Sequence, residues 1–396
     1  MSGKEVKEWF VDTVFGKLAV VSWGDPNHPP VLMVHGYMDT AATFIPLMEE
    51  LPDSYYYVAF DVPGHGKSCH LPMGPSPTQT ITIESVRAVV NYMAWDSFLF
   101  MGHSIGGMAG VTWGSPSQPP VLVVHGKLDV CTGFRPLVKL LPPSFYYVAV
   151  DLPGNGRSDH LPRGVRYTVF DLVPTVEVVK KKFGWDKFIY MGHSLGALIG
   201  KIYNIVHPNV ITRVVELDPV PAHHSWDTTR EAMRAWYHTF YGSYEETKYK
   251  KIHGLPETAP KYTYEKAQEL MMKSRKMTKE ASEQVLERCL EPVGDGLYRF
   301  TYDQRMKEVA VLPFSGELLK KIYTTTTTPT LAILAQAEID LKAYENCEFT
   351  WDLGSWPNKN YSFKIVDGHH DVHVYNPQCL ADDVARFLLE HLKAKL

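Results

Sequence analysis

The sequence predicts an α/β protein in which a mostly parallel sheet carries a helical cap and follows a duplicated N-terminal half-domain. Short continuous apolar runs, such as Val121-Leu122-Val123-Val124 and Phe188-Ile189-Tyr190-Met191, alternate with helical segments. This is the pattern of strands buried on both faces and joined by crossovers. A glycine-flanked serine, Gly192-His193-Ser194-Leu195-Gly196, stands between such a strand and a helix. The same arrangement stands 90 positions earlier, as Gly102-His103-Ser104-Ile105-Gly106.

Composition limits the possibilities. The 396 residues are 45% hydrophobic with a formal net charge of −4, which is a globular balance with no general attraction for nucleic acid or anionic membranes. Five scattered cysteines without a C-x-x-C pair argue against a disulfide framework or a structural zinc, and no cofactor or metal is expected. The first residues lack an apolar core like that of a leader, and no stretch reaches bilayer length. The expectation is a protein without an integral membrane segment, in a reducing compartment.

Taken in order, residues 1–19 read as N-terminal strands. Residues 20–109 read as a first, truncated copy and 110–218 as a second copy that continues into the working core. Trp23-Gly24 matches Trp113-Gly114, His35-Gly36 matches His125-Gly126 and Asp61 matches Asp151, without a slip of register. Such a long period occurring twice reads as partial tandem duplication rather than a solenoid. Each copy runs strand, His-Gly, then a helix carrying Phe44, Leu47 and Leu51 or Phe134, Leu137 and Leu141 on one face. A second strand then enters Asp61-Val62-Pro63-Gly64 or Asp151-Leu152-Pro153-Gly154. The Gly154-x-Gly156 loop lacks the third glycine of a nucleotide site and reads as a tight turn. Residues 219–328 break the alternation as a helical cap, with helices over Glu265 to Lys276 and Lys279 to Leu290, Thr278 being an N-cap. The threonine run 324–328 reads as a solvated loop. Residues 329–396 return to the sheet and close with an amphipathic helix from about Gln378.

His-Gly after one strand, D-x-P-G-x-G-x-S after the next, G-H-S-x-G, a helical insertion and a late histidine together resemble the α/β-hydrolase fold over nearly the whole chain. Finer features resemble the serine hydrolase-like protein family: His125-Gly126-x-x-Asp129, Asp303-Gln304-Arg305 and His370-x-x-His373-x-x-x-Pro377. The resemblance implies a serine nucleophile and often a peroxisomal address.

A serine hydroxyl needs a base within hydrogen-bond reach and a carboxylate to orient that base, in the chain order Ser, acid, His for this fold. Ser194 is the candidate nucleophile, because only it runs on into the cap and the late histidines. Ser104 has no such continuation and is expected to be inactive. His370, seven residues before Pro377, matches the family position of the base. The acid is Asp218, ending the strand after the nucleophile helix, or Glu338 or Asp340 after the next strand. Ala337 stands where the family aspartate would align, which favours Asp218. Backbone donors for an oxyanion are expected from Leu195 and Lys127. Serine in this place favours acyl transfer, meaning ester, thioester or amide hydrolysis of a small apolar substrate. The cap aromatics Trp236, Tyr237, Phe240 and Tyr241 would cover an apolar pocket or pack the cap onto the sheet. A second reading is a non-catalytic binding or assembly protein, or a mis-joined gene model, whose site the duplication has disrupted. The last residues, Ala394-Lys395-Leu396, are a close variant of the S-K-L peroxisomal address. An import receptor is thus an expected partner, and peroxisome or cytoplasm the expected location.

Overall fold

Tyr, Val, Ala and Phe run together without charged interruption in Tyr56–Phe60 and Tyr146–Val150, and both become strands buried along their whole length. The computed structural model describes residues 4–35, 39–70, 79–102, 108–161, 166–221, 225–241, 252, 254, 258–345 and 347–393. Ser104 and Ala394-Lys395-Leu396 lie outside the described residues. The chain divides into two units, Met1–Gly107 with Leu161–Arg163, and Met108–His160 with Gly164–Leu396.

The first unit holds β1 (Val6–Thr13), β2 (Gly16–Trp23), β3 (Pro30–Val34), β4 (Tyr56–Phe60) and β5 (Leu99–Gly102) in the order β1-β2-β4-β3-β5. β1 and β2 pair as an antiparallel hairpin, and β3 lies parallel to β4 and β5. One core cluster contains Leu18, Leu32, Val58 and Phe60, another Met33, Phe44, Met48 and Tyr57. The helix expected here is replaced by two 3-10 turns, Ala41–Phe44 and Pro46–Glu49, because Pro46 cannot donate the hydrogen bond that would continue the first. The buried face changes with it: Met48 is inside, and Leu47 is exposed.

The second unit holds β6 (Gly110–Trp113), β7 (Pro120–Val124), β8 (Tyr146–Val150), β9 (Phe188–His193) and β10 (Ile211–Leu217). The cap contributes β11 (Lys261–Tyr262), β12 (Leu290–Pro292) and β13 (Tyr298–Phe300), after which β14 (Thr330–Ala335) and β15 (Tyr361–Val366) complete the large sheet. Its order is β15-β14-β10-β9-β7-β8-β6, parallel throughout except for β6 against β8. The pairing of β3 with β4 recurs 90 residues on: Pro30 faces Tyr56, and Pro120 faces Tyr146. Phe134, Leu137 and Leu141 are all buried here.

The D-x-P-G-x-G-x-S loop is a turn built by its own aspartate. Asp151 accepts backbone N–H groups from Cys131 at 2.8 Å and Arg157 at 2.9 Å, and Arg288 Nε donates to it at 2.6 Å. A Cβ on Gly156 would fall 2.3 Å from that carboxylate, at a φ of +58°, so only glycine fits. His125 Nε2 accepts from Leu152 N at 2.9 Å, tying the His-Gly loop to this turn.

The cap departs from the all-helical expectation. Helices Tyr264–Arg275 and Lys279–Cys289 form, each with a threonine cap, Thr263 Oγ1 accepting from Lys266 N and Thr278 Oγ1 from Ala281 N. Between and beside them β11, β13 and β12 make a small antiparallel sheet. The threonine run is not wholly solvated either. Thr326 is buried, and Asn360 Nδ2 donates to the carbonyls of Thr326 and Thr328. The closing helix, Gln378–Lys393, buries Leu380, Val384 and Leu388 against the large sheet.

Candidate active site

β9 ends at His193, and the next residue turns sharply into helix Leu195–Val206. Ser194 sits at φ 50°, ψ −116°, a strained conformation that lifts its side chain off the sheet. The flanking glycines make this possible. A Cβ on Gly192 would lie 2.6 Å from Ala197 N, and one on Gly196 would lie 2.2 Å from the Val124 carbonyl oxygen. Gly196→Ala is therefore expected to destabilise the protein by about 2–3 kcal/mol, read as a lower denaturant midpoint. The oxyanion-loop expectation has a geometric counterpart: Gly126 packs so closely that a Cβ there would lie 3.1 Å from Ser194 Cβ, and Lys127, Leu128 and Ser194 line one cavity.

The candidate acid and base meet beyond the ends of two other strands. Asp218 follows β10 at φ 43° and is buried. Its Oδ2 accepts from His370 Nδ1 at 2.5 Å, while its Oδ1 accepts from Ala335 N at 2.9 Å and from the Tyr344 hydroxyl at 2.7 Å. Burial disfavours charge on His370, but the hydrogen bond and charge of Asp218, with Asp371 and Glu338, outweigh it and raise the imidazole pKa above its ordinary value. The two alternative acids stand on the short helix Gln336–Asp340. Glu338 lines the cavity with a pKa raised by burial, and Asp340 is exposed and accepts from Gln336 Nε2 at 2.8 Å.

Tyr344 carried no signal in the sequence, standing 126 residues from its partner. Burial and then the Asp218 charge push its phenol pKa well up, so it remains a donor. Tyr344→Phe removes one of the bonds that aim Asp218. The expected cost is about 1–2 kcal/mol, measured by urea unfolding alongside hydrolysis.

Ser194 and His370 open onto a cavity of about 660 Å³. Its apolar wall comes from Tyr262, Leu270, Met271, Phe300 and Tyr302, that is, from the Tyr264–Arg275 helix and the small sheet. The expected cap aromatics do not line it. Phe240 packs with Ala310 and Val311, flanked by Trp236 and Tyr241, and Trp236 Nε1 donates to the Val311 carbonyl at 2.8 Å. Tyr237 is exposed. Phe240, Trp236 and Tyr241 thus pack within the cap itself.

Behind the serine, Asp129, His193 and His373 bring ligand-type atoms within 4.8 Å of one another. The geometry fits a metal poorly. The His193 and His373 rings pack at a centroid separation of 4.2 Å instead of pointing lone pairs at one spot, and Arg275 already occupies Asp129 Oδ1. Burial, above all, holds both imidazoles neutral, His193 well below its ordinary pKa and His373 pushed down to about 4.

The model of the alpha/beta hydrolase fold family matches residues 29–115 and 119–377, and the chain belongs to that family. Among curated proteins it is similar to serine hydrolase-like protein of Danio rerio, 27% identical over 72% of this chain and 85% of that one. It is likewise 27% identical to serine hydrolase-like protein 2 of Homo sapiens, over 72% of this chain and 91% of that one. Among solved structures, a hypothetical protein from Pseudomonas aeruginosa PAO1 superposes with a TM-score of 0.60 at 24% identity, covering 72% of this chain and 95% of that one. The thioesterase domain from the curacin biosynthetic pathway gives 0.53 at 18%, covering 70% and 94%. At these identities the structures share the fold. Family and relatives together support a hydrolase.

Proposed function

We propose that the protein is a serine-dependent acyl hydrolase that cleaves a small, largely apolar ester or thioester through Ser194, His370 and Asp218. The observation that carries this reading is the 2.5 Å bond between His370 and Asp218, facing the same cavity as a serine held at positive φ. The Ser194 hydroxyl attacks the acyl carbon as its proton passes to His370 Nε2, and the Asp218 charge stabilises the imidazolium that forms. Backbone N–H groups of Leu195 and Lys127 receive the developing oxyanion. The imidazolium returns its proton to the leaving alcohol or thiol, and water repeats the cycle on the acyl-enzyme. The aromatic and aliphatic wall supports an apolar acyl group.

The test is a fluorophosphonate probe together with a panel of short esters and acyl thioesters. Labelling that depends on Ser194, with turnover of at least one member of the panel, is expected. Intact protein that takes up no probe and turns over no member overturns the reading in favour of a binding protein.

A further inference from the structure

Arg275 is the last residue of the cap helix Tyr264–Arg275, and Lys276 at φ 52° closes that helix. It reaches inward. Its Nη1 donates to Asp129 Oδ1 at 2.8 Å, its Nε to Asp371 Oδ2 at 3.0 Å, and its Nη2 to Asp371 Oδ1. Asp129 belongs to the loop that begins with Gly126 and Lys127, and Asp371 is the residue after His370. Arg275 thus joins, from the cap, the loop expected to receive the oxyanion and the turn that presents the base. Planar bidentate pairing fixes direction as well as charge.

We infer that Arg275 is a positioning residue that seats the base turn and the oxyanion loop together when the cap is in place, and that its charge keeps the Asp371 carboxylate from holding a proton on His370. This rests on the hydrolase reading of the site. The charges around His370 come from several elements: Asp218 from the end of β10, Glu338 from helix Gln336–Asp340 and Asp371 from its own turn. The uncharged His193 and His373 lie beside it, His193 Nε2 donating to the His370 carbonyl at 3.0 Å. Three carboxylates therefore favour the imidazolium. Lys276, on the same cavity, acts against Glu338, and Arg275, bonded to Asp371, offsets another of them.

Asp371 itself supports this. Burial alone would raise its pKa, yet Arg275 holds it well below the usual carboxylate range, so the pair is fully ionised. Removing the guanidinium exposes His370 to an uncompensated negative charge, which raises its pKa by about one unit. A general base must be unprotonated, so the acid limb of the rate profile moves to higher pH by the same amount.

The experiment follows the His370 imidazole by NMR titration, which needs no turnover, beside pH profiles of kcat and kcat/KM where a substrate is available. Arg275→Gln is expected to raise the His370 midpoint by about one unit and to lower kcat more than it changes KM. Arg275→Lys keeps the charge but not the fork, so the midpoint stays near the native value while kcat falls. Arg275→Gln with Asp371→Asn returns the midpoint toward native. A folded Arg275→Gln protein with an unmoved midpoint overturns the inference. If Arg275→Gln does not fold, Asp371→Asn decides: a lowered midpoint supports the inference, and an unchanged one overturns it. Failure of the hydrolase reading would appear separately, as absent probe labelling with the titration shift intact.

Discussion

Ser194→Ala is expected to lower hydrolysis about 10⁵- to 10⁶-fold, to the level left by binding and backbone donors alone, and to abolish fluorophosphonate labelling. Ser104→Ala is expected to change neither. The asymmetry follows from what surrounds each serine in the chain. Ser194 is followed by β10, by Asp218 and eventually by His370, the last two joined in one hydrogen bond, whereas Ser104 is followed directly by β6, the edge strand of the other sheet. Alanine at 194 is compatible with the turn only at the strained φ that serine already accepts, so unfolding curves recorded in parallel should overlay within about 1 kcal/mol. Labelling that survives Ser194→Ala and disappears in Ser104→Ala would assign the chemistry to the first copy.

The second large effect is expected at Asp218. Asp218→Asn keeps an oxygen for Ala335 N and the Tyr344 hydroxyl, so the surrounding loop has little reason to move. What changes is the partner offered to His370. An amide N–H facing Nδ1 selects the tautomer whose proton sits on Nε2, toward the serine, and that tautomer cannot accept the hydroxyl proton. A loss of about 10³- to 10⁴-fold in kcat is expected.

The pH dependence has a definite sign. His370 has a raised pKa in the folded protein, so its contribution to stability is present below the ordinary imidazole value and is lost as pH rises through the raised one. Activity runs the other way, climbing as the imidazole gives up its proton. In Asp218→Asn both transitions should shift to lower pH, which titration of the His370 resonance and denaturant midpoints across pH 5 to 9 would register.

The parts of this site legible in the sequence are those written locally. Ser194 and Asp218 directly follow strands, His370 stands four residues past the last one, and the glycines beside Ser194 announce a turn that other residues could not make. The residues that support them are invisible for a physical reason. Arg275 meets Asp371 across 96 residues and Asp129 across 146, and no periodicity links positions so far apart. The cap sheet escaped for another reason: strands of two and three residues are too short to display an alternating pattern. Leu47 and Leu137 each follow a proline, yet Leu47 is exposed and Leu137 buried, so burial at this position is set by the surroundings and not by the local sequence. The cap aromatics are expected over the pocket or against the sheet, but Phe240, Trp236 and Tyr241 pack within the cap and Tyr237 is exposed, because the surface an aromatic meets is set by tertiary packing.

The division of the chain has a consequence for how its genetics should behave. Ser194, Asp218, His370, Tyr344 and Arg275 all belong to the unit that begins at Met108. A splice choice or internal start that discarded the first sheet would delete no residue of the proposed chemistry. The sheet that remains ends on β6, a four-residue antiparallel strand carrying half-buried Val111 and Trp113, as it does in the longer chain. Turnover by such a shortened product is therefore the expected result.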